Sequence, residues 1–231
     1  MILREIDMDL PYIRGIYQEQ LSDHDIKEDY QLNWKLKRRQ FQLTTRCMTA
    51  MIERIMPRIT TKDCKKLLIE CVYQPSRNRV INLSGLYCVQ VPFEVDRFWE
   101  MGNLEKKIYI IRKIKEALMI ISQNNCFDVA PIENACDEVI NNGYLNEWYW
   151  KKPVKSKQLS AQIKIIHELE SVRLYVVFKD LLKNVQKEKF LVSALPDEWV
   201  YSQYLGKLEW ISEEMVKLTT KSGEGFIEKY E

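Results

Sequence analysis

Apolar residues between positions 104 and 121 recur with the period of an α-helix. At 100° per residue, eight of them gather on one half of the helical wheel: Leu104, Ile108, Ile110, Ile111, Ile114, Ala117, Leu118 and Ile121. The charged residues Glu105, Arg112, Lys113 and Glu116 gather on the other half, together with Tyr109 and Ile120. The wide stripe predicts packing on a broad surface, for which we expect a β-sheet. The two apolar residues on the polar half predict that this half is partly covered as well.

Two further segments have a helical pattern. Residues 28–56 repeat apolar positions near helical spacing up to Pro57, which predicts an N-terminal helix that ends there. Residues 131–142 begin with Pro131, end before Gly143 and gather apolar side chains on one side, so that 103–142 is predicted to form a helical hairpin. For residues 1–26, which Pro11 and Gly15 interrupt, we expect a short strand or turn and one helical turn.

Other segments alternate with the period of a β-strand. Residues 66–73 and 85–95 are predicted strands, and Pro92 predicts that the second lies at a sheet edge or contains a bulge. Residues 161–170 and 172–179 are predicted to form a tight hairpin. After residues 147–150 we expect a basic loop at 151–157. Shorter strands are predicted at 190–192, 200–204, 208–211 and 215–218, with a loose tail from Gly223.

These elements predict an α+β fold, in which a mainly antiparallel β-sheet packs against a helical hairpin and an N-terminal helix. We expect a single domain over residues 1–231. Its parts are a helical segment (1–60), a sheet with the helical hairpin (61–145) and a strand-rich part (146–231).

Composition is that of an ordinary soluble protein. The net charge of +2 gives no overall field to attract nucleic acid or an anionic membrane. The six cysteines form no C-x-x-C pair, which argues against a zinc or redox motif and favours reduced thiols in the cytoplasm. The N-terminal stretch has no apolar region typical of a signal peptide, and the longest aliphatic run is too short to span a membrane.

Candidate catalytic groups are few. Of the two histidines, His167 alternates with apolar strand residues and is predicted to lie in or near the core, and His24 falls within an acidic helix start. No nucleophile motif, phosphate loop or paired metal-ligand spacing is present, so we predict no catalytic residue, no metal ligand and no cofactor. The alternative is a nucleic-acid-acting, metal-dependent enzyme or defence protein that uses Glu70, Glu94 and Asp96.

Basic and aromatic residues offer two kinds of binding surface. Nucleic acid would use the basic helix face between Lys35 and Arg46, Arg77 with Arg79, and the stretch 151–157. Because 33 acidic residues balance 35 basic ones, we expect no nucleic-acid partner. Aromatic residues dominate protein-binding hot spots but also fill cores. The predicted partner-binding residues are Trp148, Tyr149, Trp150, Trp199, Tyr201 and Tyr204.

Residues 89–122, VQVPFEVDRFWEMGNLEKKIYIIRKIKEALMIIS, resemble bacterial immunity proteins of polymorphic toxin systems. A strand that ends in apolar and acidic residues is followed by an aromatic pair, a polar break and an amphipathic helix that starts with EKK. The resemblance implies a cytoplasmic, non-enzymatic protein that binds a cognate toxin and blocks its active site. This chain is near neutral, whereas many nuclease inhibitors are strongly acidic, so the resemblance leaves the class of toxin open.

Overall fold

The structure is a computed structural model that describes residues 1–12, 22–180 and 182–230. The predicted interruption at Gly15 lies outside these residues. Helices make up 36% and strands 35% of the chain, so the α+β class is confirmed. Contacts divide the chain into two compact units, Met1–Leu145 and Asn146–Glu231, at the expected boundary between the second and third parts. The single domain stays a prediction, and each unit is described by itself.

A four-stranded sheet forms the centre of the first unit. Its strands are β2 (Glu5–Asp9), β4 (Lys66–Val72), β5 (Ile81–Leu83) and β6 (Leu86–Pro92), in the order β2-β4-β6-β5. The short strands β1 (Ile2–Leu3) and β3 (Ile59–Thr60) form a separate antiparallel ribbon. The predicted strands 66–73 and 85–95 are thus present. They pair in parallel with each other, as do β2 and β4, and this arrangement was not part of the sequence-based prediction.

The prediction for Pro92 was wrong. Strand β6 lies inside the sheet, between β4 and β5, and its pairing has no bulge. Pro92 is tolerated because it is the last residue of the strand. The partner β5 reaches only as far as Cys88, so the missing N–H of Pro92 falls beyond the ladder on that side.

Within its described residues, the first unit also contains five α-helices. They are α1 (Asp23–Asp29), α2 (Lys35–Ile55), α3 (Val95–Glu100), α4 (Asn103–Gln123) and α5 (Ala130–Asn141). A π-helical segment, Tyr30–Trp34, joins α1 to α2. The predicted N-terminal helix is therefore present and ends before Pro57. In α5 the predicted apolar face of Ile132, Ala135, Cys136 and Val139 is buried, and Gly143 has the left-handed φ of 65° expected after a helix.

Helix α4 exists as predicted, but its buried face differs from the wheel. Leu104 and Ile108 are 57% and 44% exposed, whereas Tyr109 and Lys113 are buried. Ile110, Ile114, Ala117 and Leu118 are fully buried, as expected. Phe93, which directly follows β6, covers Tyr109: the centroids of the two rings lie 4.9 Å apart. The Phe93 ring also packs against the ring of Phe41 in α2, with centroids 5.2 Å apart.

The second unit consists of two antiparallel sheets. One contains β7 (Glu147–Lys155), β8 (Leu159–His167), β9 (Val172–Asp180) and β10 (Val185–Ala194), in the order β10-β9-β8-β7. The other contains β11 (Lys207–Trp210), β12 (Met215–Thr219) and β13 (Gly225–Lys229). Helix α6 (Glu198–Tyr201) and a 3₁₀ turn (Ser202–Tyr204) connect them. Residues of both sheets share one core that includes Ile163, Ile165, Leu174, Phe178 and Leu218.

Three local predictions for this unit were wrong. Residues 151–155 belong to β7, where a shift of register between Trp150 and Val154 absorbs the extra residues and Lys151 takes a φ of 54°. Residues 200–204 are helical because Asp197 caps a short helix: its carboxylate accepts the N–H of Trp199 at 2.9 Å. The tail after Gly223 forms β13, which pairs with β12. The predicted hairpin of β8 and β9 is present.

Candidate functional site

The six aromatic residues predicted to bind a partner have different surroundings in the second unit. Tyr201 is only 7% exposed and belongs to the core, and Trp148, Trp150 and Tyr204 pack against that core while partly buried. Tyr149 and Trp199 remain exposed, at 40% and 84%. Two of the six predicted residues, one on β7 and one on α6, therefore have exposed side chains.

Tyr149 belongs to a row of side chains that crosses the four-stranded sheet. It lies opposite Lys164, Lys164 lies opposite Tyr175, and Tyr175 lies opposite Phe190. The intervening residues of β8 and β9, such as Ile163, Ile165 and Val176, point into the core. Because side chains alternate along a strand, the row lies on the side of the sheet away from that core. We call the row Tyr149, Lys164, Tyr175 and Phe190 the outer face.

The aromatic rings of the outer face form a partly exposed surface. The rings of Tyr175 and Phe190 meet edge to face with centroids 5.6 Å apart, and Phe190 is 52% exposed. At the other end of the row, the ammonium group of Lys179 lies 3.8 Å from the ring centre of Tyr149. Tyr175 alternates along β9 with the core residues Leu174 and Val176, a pattern that the sequence already contains. The alignment with Phe190 depends on the register of β9 and β10, which includes shifts that no sequence pattern announced.

The charge in the middle of the outer face is compensated within the sheet. The ammonium of Lys164 lies 3.3 Å from the carboxylate of Glu147 and 3.6 Å from that of Glu188. Partial burial alone would lower the pKa of Lys164, but the hydrogen bond that its ammonium donates to Glu147 and the charges of both carboxylates raise it above its ordinary value. Lys164 is therefore a cation held between two anions, which fits contact with a protein better than capture of a phosphate.

Two of the three carboxylates considered for metal chemistry, Glu70 and Glu94, have side-chain partners. Glu70 accepts hydrogen bonds from Arg77 and, at 3.1 Å, from Gln90. Glu94 pairs with Arg97 at 3.1 Å. Within residues 1–12, 22–180 and 182–230, no group of three or more His, Cys, Asp or Glu side chains is arranged to hold a metal ion. The three carboxylates Glu70, Glu94 and Asp96 accordingly do not form such a group.

Several of the basic residues are similarly engaged. Arg38 pairs with Asp9 at 2.6 Å, and Arg46 pairs with Glu53 at 2.7 Å. In β7, Lys151 lies over the ring of Trp150 at 4.2 Å. Parts of the predicted basic patches thus serve contacts inside their own unit.

The two histidines differ in exposure. His167 ends β8, is fully buried and packs with its ring 6.0 Å from the ring of Tyr201, so its predicted place in the core is confirmed. His24 is exposed in the first turn of α1, with its Nδ1 3.9 Å from Asp25. That helix start is capped by Ser22 and Asp25 in a reciprocal pair of hydrogen bonds, which fits the acidic helix start expected from the sequence.

Comparison with known proteins gives no relative from which a role can be transferred. No protein-family model, curated protein or solved structure matches the chain. None of the helices in the described part of the chain combines the length and apolar composition needed to cross a membrane.

Proposed function

We propose that the protein is a non-enzymatic binding protein, an immunity protein that acts in the cytoplasm by occluding the active site of a cognate bacterial toxin. The observation that carries the proposal is the outer face, a partly exposed row of aromatic side chains across an antiparallel sheet. The resemblance of residues 89–122 to immunity proteins supplies the class of partner.

The chemistry of the outer face supports a protein partner. Tyr and Phe bring a large contact area with few rotatable bonds, so little conformational entropy is lost when a partner orders them. Lys164 already has two carboxylate partners, so burying it under another protein leaves no isolated charge. The second exposed aromatic, Trp199, offers a further anchor on α6, and Leu195, four residues earlier in the chain, is 51% exposed.

The cysteines support the proposed compartment. None of the six forms a disulfide, and five are buried. A protein that uses many cysteines without linking them is typical of a reducing compartment such as the cytoplasm.

Co-expression with the product of the neighbouring open reading frame tests the proposal. We expect the two proteins to co-purify, and we expect this chain to protect cells from that product. Phe190→Ser should weaken the complex at least about tenfold, as expected for an aromatic anchor of a binding surface. The matched control is Ile227→Ser, which removes another exposed strand side chain (56% against 52%) from the second unit.

Two results would count against the proposal. One is a neighbouring gene product that neither binds this chain nor harms cells without it. The other is a complex that Phe190→Ser and Ile227→Ser weaken equally, since the outer face would then have no special part in binding.

A further inference from the structure

A crevice of about 450 Å³ lies in the first unit at the carboxyl ends of β4 and β6. Residues that follow the two parallel strands form one side, and α4 forms the other. The carboxyl ends of parallel strands are the usual position of ligand sites in sheets of this kind, because the chain leaves the sheet there and its loops diverge. This volume falls in the range of small-molecule sites.

Positive charge dominates the crevice. Its charged lining residues are Arg97, Arg112, Lys113 and Glu94. Glu94 forms an ion pair with Arg97 at 3.1 Å. Glu116 forms ion pairs with both Lys113, at 2.8 Å, and Arg112, at 3.8 Å. Three cations thus share two carboxylates, and one positive charge remains uncompensated in this group.

Lys113 is the least expected of these cations. Its side chain is only 8% exposed, although it lies in the middle of a helix whose neighbouring positions Ile110, Ile114 and Ala117 are fully buried. Burying an ammonium group costs free energy, and its partner Glu116 is shared with Arg112. A ligand anion in the crevice would offset this cost.

Tyr109 adds a hydrogen-bond donor to the same crevice. The residue is 5% exposed, and its hydroxyl oxygen accepts the backbone N–H of Glu94 at 3.1 Å. Among the described residues no acceptor receives the hydroxyl's own hydrogen, so this hydrogen can turn toward an anion in the crevice. Arg112 and Lys113 both lie against the Tyr109 ring, at 4.7 and 5.3 Å, which holds their charges at the crevice wall.

We propose that this crevice binds a small phosphorylated molecule, a nucleoside monophosphate. The phosphate would lie among Arg112, Lys113 and the Tyr109 hydroxyl, where charge-assisted hydrogen bonds are strong. Tyr73, at the mouth of the crevice, is 81% exposed and provides a ring on which the base can stack. The site is separate from the outer face, so its test is independent of the proposed partner.

Calorimetric titration of the full chain with AMP and with inorganic phosphate tests the site. We expect AMP to bind about tenfold more tightly than phosphate because of stacking on Tyr73. Tyr73→Ala should remove this advantage. Arg112→Gln should weaken AMP binding at least about tenfold, since it removes a charged donor. Arg112 is 59% exposed, so this variant should fold; Lys113→Met is a second variant.

Lys115→Gln is the matched control, because Lys115 lies on the same helix but pairs with Asp137 outside the crevice. Its affinity for AMP should equal that of the wild type. The proposal is overturned if AMP does not bind at millimolar concentration. Equal weakening by Arg112→Gln and Lys115→Gln, or binding of phosphate without binding of AMP, would also overturn it.

Discussion

Arg38 and Asp9 form a two-pronged ion pair that fixes α2 to the end of β2. The Arg38 Nε donates to one carboxylate oxygen of Asp9 at 2.7 Å and Nη2 donates to the other at 2.6 Å. Asp9 is 3% exposed and also accepts a hydrogen bond from Gln42 at 2.9 Å. The hydrogen bonds and charge of Asp9 raise the pKa of Arg38 above its ordinary value.

Removing the arginine should therefore destabilise the first unit. Arg38→Ala leaves the buried Asp9 carboxylate with Gln42, and we expect a loss of about 2–3 kcal/mol in the free energy of unfolding. This is less than for a fully buried pair because the Arg38 side chain is 35% exposed. Urea denaturation measures the loss. Lys35→Ala is the control, since the exposed Lys35 donates a hydrogen bond to the exposed Gln31 of the π-helical segment at 3.2 Å. A similar loss in both variants would contradict the role of the pair.

The pKa values of Asp7 and Glu53 are shifted in opposite directions, so we expect the two residues to have opposite effects on how the free energy of unfolding depends on pH. Burial alone would raise the pKa of Asp7, but hydrogen bonds with Glu5 and Lys66 and the charges of Lys66 and Arg46 lower it. Its contribution to stability is thus present above the ordinary value of 3.8 and is lost as the pH falls through the lowered pKa. Burial raises the pKa of Glu53, so its contribution is present below 4.5 and is lost as the pH rises through the raised pKa.

The variants Asp7→Asn and Glu53→Gln separate the two effects. Asp7→Asn should reduce the loss of stability in acid, and Glu53→Gln should make stability rise more steeply with pH above 4.5. Urea unfolding followed by circular dichroism across the acid range, with the wild-type profile as reference, gives both slopes. Profiles that shift in the same direction for both variants would contradict the assignment.

Thiol reactivity should be confined to Cys126. Burial raises the pKa of Cys64 and Cys136 to about 12 and that of Cys71 well above its ordinary value, so these groups remain thiols at neutral pH. Burial raises the pKa of Cys126 as well, but Cys126 is the one cysteine of the six that is partly exposed and that a reagent can reach. In the native protein at pH 8, a disulfide reagent should modify about one thiol quickly, and Cys126→Ser should abolish this phase. Rapid reaction of several native thiols would refute the prediction.

Tyr201 and Trp199 should respond differently to truncation although only one residue separates them. Tyr201→Ala empties part of the core of the second unit and should cost about 3 kcal/mol. Trp199→Ala removes a side chain that is 84% exposed and should change the free energy of unfolding by less than about 0.5 kcal/mol. Chemical denaturation of both variants checks the difference; a large loss for Trp199→Ala would show that its ring is not free for a partner.

Helix α4 shows what periodicity can and cannot determine. The 3.6-residue repeat located the helix to within two residues at each end, because the pattern is a property of the local chain. It did not determine which side is buried, since α4 carries apolar residues on more than one side. Leu104 and Met119 remain exposed while Lys113 is covered. That choice depends on the elements that pack against the helix.

The pairing of strands that are distant in the chain is a second feature that the sequence pattern did not predict. The alternation in residues 66–73 predicted a strand, but one parallel partner of β4, the strand β2, begins at Glu5, and both α1 and α2 lie between β2 and β4 in the chain. The residues of the crevice, such as Tyr73, Arg97 and Lys113, come together only through this arrangement. By contrast, the six aromatic residues predicted to bind a partner could be selected from the sequence. The structure was needed to show which of them are buried in the core and which are exposed.

The irregular register of β7 has a consequence for behaviour at high concentration. Strand β7 forms one edge of its sheet, where unpaired backbone groups invite a strand from another molecule. The bulge between Trp150 and Val154 breaks the straight run, Pro153 has no N–H to offer, and the Gln162 side chain donates to the carbonyl of Lys151. The lysines at 151 and 152 add mutual repulsion between copies. This edge is therefore protected against the edge-to-edge aggregation to which regular antiparallel sheets are prone.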